Sequence, residues 1–207
     1  MSDFFDTLFT KNSLNTLLFY DPYAKLCFSS TLTTFFKKTI YIDFDTTFTA
    51  YANAGFILNY SPKSVLIFTP DEGEMEFLLQ KIILNLANTS LIIIDSINSF
   101  YNLYYKKIDP NYFKGIASVQ HILSNFLMLL LKHCKSLNIP ILVTSMMRYK
   151  NKEIWVRMPS NRRFIQKKSG VIFSVEMLDE SNLWVSISLH PFLGSKKVVM
   201  KTHGISF

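Results

Sequence analysis

The carboxylate of Asp95 follows four consecutive apolar residues, in the segment Leu91–Asp95 (LIIID). Such a segment is typical of a buried strand, which would bring Asp95 to the carboxyl edge of a parallel sheet, where open α/β sheets bind their ligands. A carboxylate at that edge can hold a magnesium ion beside the phosphates of a nucleotide. Asp95 is therefore a candidate metal ligand, although many strands end in Asp without this role.

Two further carboxylates lie at the end of another strand candidate, Thr39–Asp43. Asp43 ends that strand, and Asp45 follows two residues later. Asp45 is the candidate catalytic residue, since it could act as a general base that orients an attacking water. Alternatively, both carboxylates cap the turn or helix that comes next. Their distance from Asp95 would decide between these interpretations, and the sequence does not give it.

A nucleotide site also needs groups that surround the phosphates. The usual solution is GxxxxGK[ST], in which backbone N–H groups cradle the phosphates and the lysine neutralises them. The chain has no such sequence, and residues 24–31 (AKLCFSST), after the first strand candidate, have neither the glycines nor the lysine. Thr31 retains the hydroxyl of the motif's last position, which binds magnesium. Lys25 could reach the phosphates from the opposite end of this segment. The candidate degenerate nucleotide site consists of Ala24, Lys25, Ser29, Ser30, Thr31 and Asp95.

The net charge of +7 comes from the last part of the chain. Over residues 1–147, eleven Lys and Arg balance eleven Asp and Glu. Over residues 148–207 there are eleven Lys and Arg but only four Asp and Glu. The dense basic region 148–168 would attract polyanions by counterion release. Tyr149, Trp155 and Phe164 lie among its cations and could stack on single-stranded bases, or the last two could pack against the sheet. The alternative for the whole region is a solvated basic loop.

The candidate DNA-binding residues come from this basic region and are Arg148, Lys150, Lys152, Trp155, Arg157, Arg162, Arg163, Lys167 and Lys168.

The elements that would position these residues alternate between strands and helices. Strand candidates cover residues 16–20, 39–43, 64–68, 91–95 and 140–144, and residues following 70 and 119–137 have helical periodicity. This order predicts an α/β fold with a mainly parallel sheet flanked by helices. Shorter strand candidates near the end predict an antiparallel meander over about residues 170–201, within a single domain over 1–207.

Composition excludes several classes of protein. Hydrophobic residues make up 49% of the chain and charged residues 18%, so the bulk of the chain is not intrinsically disordered. Cys27 and Cys134 lack companions and indicate reduced core residues instead of a disulfide framework. No apolar run is long enough for a membrane span. We expect a protein of the cytoplasm or one associated with the nucleoid.

The order of these pieces resembles the ATPase core of the RecA/RadA recombinase superfamily, including its KaiC-like branch, over about residues 16–177. Residues 40–48 (IYIDFDTTF) are similar to the family's second strand, and Asp45 occupies the position where the family has its catalytic glutamate. Residues 91–105 are similar to its second nucleotide motif. Residues 139–147 (IPILVTSMM) are similar to a strand that often ends in Thr-Asn-Gln, but Met146 replaces the glutamine. The basic region lies where the family has its second DNA-binding loop.

The departures from the family pattern all weaken catalysis, because the phosphate-loop residues, the catalytic glutamate and the glutamine are changed. The resemblance therefore implies a RadA paralogue that is a pseudo-ATPase. It would bind DNA, preferably single-stranded, or assist a RadA-type recombinase or another RadA paralogue in homologous recombination and DNA repair. On this interpretation no cofactor is needed.

Two alternatives remain. The chain could be a divergent ATPase that uses Thr31, Asp45 and Asp95 with ATP and magnesium, and with a cation donated by a neighbouring subunit. It could instead be a structural subunit of a homo- or hetero-oligomer without nucleic-acid contact. The N-terminal apolar cluster, Phe4, Phe5, Leu8 and Phe9, would then be exposed for docking, although the same residues could cover the chain's own sheet.

Overall fold

The structure is a computed structural model, and it describes the chain with gaps. The backbone is described over residues 2–57, 60–71, 74–105, 114–152, 154–159 and 162–202, and the side chains over 4–57, 60–71, 74–104, 119–148 and 164–202.

Within these ranges the chain forms nine strands. They are β1 (Leu14–Phe19), β2 (Thr39–Asp43), β3 (Val65–Phe68), β4 (Leu91–Asp95), β5 (Ile141–Lys152), β6 (Ile154–Pro159), β7 (Ser169–Asp179), β8 (Asn182–Leu189) and β9 (Lys196–Lys201). The α-helices are α1 (Ser2–Leu8), α2 (Pro22–Phe35), α3 (Thr47–Asn53), α4 (Met75–Asn85), α5 (Ile97–Tyr105), α6 (Lys114–Ser136) and α7 (Arg162–Lys168).

The strands form one sheet in the order β3-β2-β4-β5-β1-β7-β8-β9. Pairing is parallel from β3 to β7 and antiparallel from β7 to β9. The predicted fold class is therefore confirmed, including the antiparallel strands at the end of the chain. The far half of β5 continues beyond the parallel sheet and pairs with β6 as an antiparallel hairpin.

Both faces of the parallel strands are apolar, which explains their continuous hydrophobic sequences. Because side chains alternate along a strand, Ile93 lies on the face that α1, α2 and α3 cover. Its neighbours Ile92 and Ile94 lie on the opposite face, which α4, α5, α6 and α7 cover. The two cores thus sit on either side of the sheet, and each parallel strand contributes to both, whereas β8 and β9 contribute to the core on the face of α1, α2 and α3.

Several elements differ from the sequence prediction. Residues 24–31, expected as a degenerate phosphate loop, lie inside helix α2. The strand predicted over 140–144 continues to Lys152, since the basic region does not form a loop there but begins as a hairpin. Helices α1 and α7 were not predicted, because seven residues are too few to show helical periodicity.

Helix α1 resolves the question of the N-terminal apolar cluster. Phe5, Leu8 and Phe9 are buried, and Phe5 packs against Phe35 of α2 with ring centroids 5.1 Å apart. These side chains therefore cover the chain's own sheet.

None of the helices in the described ranges combines the length and the hydropathy needed to cross a membrane.

Candidate functional site

Four polar side chains at the carboxyl edge of the sheet lie on the face that α2 covers. Strand register pairs Asp43 of β2 with Asp95 of β4, and Tyr41 lies two residues before Asp43. On β5, Thr144 follows Val143, which pairs with Ile94. All four residues are buried, although polar side chains in an apolar interior are costly unless they have partners. The face needs a compensating group, and α2 provides it.

That group is Lys25, in the first turns of α2. Its Nζ lies 3.0 Å from Oδ2 of Asp45, and 2.9 Å and 2.8 Å from the two carboxylate oxygens of Asp95. Only 1% of Lys25 is exposed. The ammonium group therefore sits between two carboxylates, in a buried ion pair with Asp95 and a half-buried one with Asp45, whose side chain is 24% exposed.

Asp95 accepts two further hydrogen bonds. The hydroxyl of Tyr41 donates to Oδ2 at 2.6 Å, and the hydroxyl of Thr144 donates to Oδ1 at 2.5 Å. Together with Lys25, these donors hold both carboxylate oxygens in place. The sequence pattern does not single out Tyr41 or Thr144 as site residues, although Tyr41 precedes Asp43 by two positions and therefore shares its face.

Asp43 and Asp45 both bond to the start of α3, as the capping interpretation predicted. Oδ2 of Asp43 accepts from the backbone N–H of Thr49 at 2.7 Å and from its hydroxyl at 2.6 Å. Asp45 accepts from the N–H of Thr47 at 3.1 Å and also pairs with Lys25. Oδ1 of Asp43 is buried without a hydrogen-bond partner.

Burial, together with the charges of Asp95 and Asp43, raises the pKa of Tyr41 well above its usual value, and the pKa values of Lys25, Asp45 and Asp43 are shifted as well. Burial by itself lowers the pKa of Lys25, but the attraction of Asp95 and Asp45 outweighs burial and leaves this pKa raised. Burial raises the pKa of Asp45, and the attraction of Lys25 outweighs it and leaves that pKa lowered. Asp43 has no cation of its own, so burial and the charges of Asp95 and Asp45 raise its pKa to about 7, against the hydrogen bonds from Thr49.

The three aspartates are also the described residues that could hold a metal ion. One oxygen from each of Asp43, Asp45 and Asp95 lies within 4.8 Å of the others. Carboxylate oxygens are the ligands that magnesium prefers. In this structure, however, the positive charge between Asp45 and Asp95 is the ammonium group of Lys25, so a metal would compete with an ion pair that is already formed.

The start of α2 does not resemble a phosphate cradle. Only Tyr20 and Asp21 separate β1 from the helix, so there is no loop whose amides could surround a phosphate. Asp21 caps the helix, and its carboxylate accepts from the N–H of Tyr23 at 2.8 Å. The helix N-terminus, which elsewhere binds anions, already faces a carboxylate of the chain itself.

The other predicted nucleotide-site residues, Ala24, Ser29, Ser30 and Thr31, are buried within α2. Thr31 lies six residues after Lys25, about 9 Å farther along the helix axis. Its hydroxyl donates to the carbonyl of Cys27 at 2.8 Å. The structure thus brings Lys25, Asp45 and Asp95 together and places Thr31 apart from them.

The middle of β5, where the strand leaves the parallel sheet, is fixed to helix α5. The side-chain oxygen of Asn98 accepts from the backbone N–H of Met146 at 2.8 Å, at the position where the resembled family often has a glutamine. The basic region begins two residues later. Its hairpin pairs Arg148 with Met158 and Lys152 with Ile154 in register.

Three of the predicted DNA-binding side chains are described, Arg148, Lys167 and Lys168, and all three are exposed. Phe164 is 7% exposed and packs in the core below α7, so it is not placed to stack on bases. The remaining predicted side chains lie outside the described side chains: Lys150, Lys152, Trp155, Arg157, Arg162 and Arg163.

Comparison with protein-family models and with the curated proteins finds no match. Among solved structures, the crystal structure of the RadB recombinase is similar, with a TM-score of 0.62 and 18% sequence identity. The similarity covers 95% of this chain and 92% of that chain. The fold is therefore a RecA-like core, and since one fold can host many functions, the fold alone does not decide the function.

Proposed function

We propose that the chain is a non-catalytic RecA-fold protein that binds single-stranded DNA and assists a RadA-type recombinase, or another RadA paralogue, in homologous recombination and DNA repair. The observation that carries the non-catalytic part is the position of Lys25. Its ammonium group already pairs with Asp45 and Asp95, the two carboxylates that a nucleotide-bound magnesium ion would need.

Binding of a metal-bound nucleotide would be costly at this site. Removing one partner from a buried ion pair costs about 3–5 kcal/mol, because the remaining charge is left uncompensated. The nucleotide would also meet the carboxylate of Asp21 at the start of α2 instead of free amides. These two features support a pseudo-ATPase that needs neither ATP nor magnesium as a cofactor.

The DNA-binding part rests on the basic region 148–168. It leaves the parallel sheet as a hairpin, and the described side chains Arg148, Lys167 and Lys168 are exposed. Most DNA affinity comes from such cations, which release counterions when they contact phosphates. The similarity of fold to the RadB recombinase supports a role beside recombinases. The proposed place of this role is the cytoplasm or the nucleoid.

One observation favours a second candidate function, a divergent ATPase. The oxygens of Asp43, Asp45 and Asp95 converge closely enough to hold a cation if Lys25 moved away. Movement of Lys25, together with a cation from another subunit, would be required before Thr31, Asp45 and Asp95 could act in hydrolysis.

Equilibrium binding of a fluorescent ATP analogue with magnesium separates the two functions. We expect no binding at high micromolar concentration of the purified chain, because Lys25 occupies the space between the carboxylates. The Asp95→Ala variant is the control. Binding by the unaltered chain that Asp95→Ala abolishes would reject the pseudo-ATPase and favour the enzyme.

Binding of a fluorescent single-stranded oligonucleotide, measured in the same buffer, tests the DNA-binding half of the proposal, and no binding would reject it.

A further inference from the structure

The charged residues are divided between the two edges of the sheet. At the carboxyl edge, acidic residues follow β1, β3 and β7, represented by Asp21, Asp71, Glu74, Asp179 and Glu180. With the aspartates of the site, they make this edge mainly acidic, with the basic hairpin and the exposed Lys201 at the end of β9 as exceptions among the described residues. The amino edge has the opposite sign, and the basic region of the sequence accounts for only part of it.

Lysines immediately precede three of the parallel strands at the amino edge. Lys63 precedes β3, Lys37 and Lys38 precede β2, and Lys11 precedes β1. Lys11, Lys37 and Lys63 are exposed, and Lys38 is half-buried. These residues come from the part of the chain whose total charge is zero, so the sequence does not reveal the cluster.

More lysines continue the same edge toward the end of the sheet. Lys135 lies in the last turn of α6, before β5, and Lys167 and Lys168 lie directly before β7. Because β8 runs antiparallel to β7, its end and the start of β9 return to this edge, with Lys196 and Lys197. All five lysines are exposed. Among the side chains described at the amino edge, Asp6 of α1 is the one carboxylate.

These lysines form a row along the amino edge, from Lys63 before β3 to Lys196 and Lys197 at the start of β9. The length and the composition of this lysine row match duplex nucleic acid. From β3 to β9 the sheet path has eight strands, so the row extends over roughly 34 Å at about 4.8 Å per gap. A duplex of about ten base pairs has that length at about 3.4 Å per base pair. The cations are all lysines, which contact phosphates as point charges and read no base sequence.

We infer that this lysine row at the amino edge is a second nucleic-acid surface, which binds the phosphates of a duplex without sequence preference. It lies at the opposite edge of the sheet from the basic hairpin and shares with the proposed DNA-binding residues only Lys167 and Lys168. The proposed single-strand site and this surface could therefore hold two nucleic acids at once.

The test uses two charge-reversal variants of the full chain. In the first, Lys37→Glu and Lys196→Glu alter two distant places in the row. In the matched control, Lys81→Glu and Lys201→Glu change the net charge equally at exposed sites outside the row, since Lys201 is at the other end of β9 from Lys196. Binding to a fluorescent duplex of about 20 base pairs is measured over a series of salt concentrations.

We expect the row variant to lose at least ~10-fold in duplex affinity and to lower the salt slope by about two, because each lost phosphate contact lowers it by roughly one. The control variant should retain the slope. Equal effects of the two variants would overturn the inference, and so would a row variant with unaltered affinity. Circular dichroism spectra of both variants exclude unfolding as the cause of a loss.

Two further measurements separate this inference from the proposed function. The Arg162→Glu, Arg163→Glu variant should keep most of its duplex affinity; if it alone loses duplex binding, the basic region 148–168 binds both nucleic acids and the row is rejected. Vesicles containing anionic lipid are the competing polyanion. The inference fails if the unaltered chain binds these vesicles but not the duplex, and if the Lys37→Glu, Lys196→Glu variant no longer binds the vesicles. The surface would then be a membrane-binding surface.

Discussion

At the scale of single residues, Lys25 decides the chemistry of the carboxylate site. A buried ammonium group without a partner would lose its proton, but Asp45 and Asp95 keep its pKa raised. The same pairing holds the pKa of Asp45 down. Lys25 thus acts as an internal counterion, and the carboxylates are stabilised without a metal.

Substitution of this counterion should be strongly destabilising. Lys25→Met fills a similar volume but leaves Asp95 buried and Asp45 half-buried without a cation, so we expect a loss of about 3–5 kcal/mol in the free energy of unfolding, mostly from Asp95. Urea denaturation at neutral pH measures it. The double variant Lys25→Met, Asp95→Asn should recover part of the loss; an equally unstable double variant would show that packing, not charge, is responsible.

Asp43 should make stability depend on pH in the opposite direction to a paired carboxylate. Its pKa is about 7 in the fold and 3.8 as a free group. The folded state therefore binds more protons between these values, and its contribution to stability falls as pH rises from about 4 to about 7.

Asp43→Asn removes this dependence, because asparagine can still accept the bonds from Thr49 and has no charge to bury. We expect the variant to be more stable than the unaltered chain at pH 8, by on the order of 2 kcal/mol, and to differ little at pH 4. Denaturation at the two pH values tests this. A difference between the two proteins that stays constant across the range would show that Asp43 does not titrate in this window.

At the scale of elements, the chain turns directly from β1 into α2, and this short connection has two consequences. It removes the loop in which a phosphate could be held, and it places Lys25 within the first turns of the helix above the carboxylates. The absence of a phosphate loop and the presence of the counterion are therefore produced by one local feature.

The hairpin of β5 and β6 and the helix α7 are the elements that the DNA-binding proposal needs. Arg162→Glu with Arg163→Glu reverses two adjacent cations at the start of α7. We expect weaker binding to single-stranded DNA and a salt slope lower by about two. Fluorescence anisotropy at several salt concentrations measures both quantities, with Lys81→Glu, Lys201→Glu as the control. An unchanged affinity and slope would remove the basic region from the proposed function.

At the scale of the whole molecule, the sheet separates charge. Parallel strands direct every strand start to one edge and every strand end to the other, so residues distant in sequence gather by their position relative to a strand. Lys37 and Lys196 reach the same edge in this way, although 158 residues lie between them. The RecA-like core thus offers a basic edge and a largely acidic edge, with the basic hairpin and Lys201 as exceptions among the described residues.

The sequence by itself determined the fold class, the parallel strands and the antiparallel strands at the end of the chain. Continuous apolar runs and the alternation of strands with helices are local patterns, and they follow from burial on both faces of a sheet. The position of Asp95 at the end of β4 was predictable for the same reason. The capping role of Asp43 and Asp45 was one of two alternatives, and the sequence could not choose between them.

Only the tertiary structure decided what surrounds Asp95. A lysine 70 residues earlier reaches it because α2 crosses the face of the sheet on which Asp95 lies. By sequence alone, residues 24–31 resemble a degenerate phosphate loop. In the structure they are helical, because α2 begins only two residues after the end of β1. Ion pairs and surface charge depend on distances between strands that are remote in sequence, and local patterns of residue type do not contain those distances.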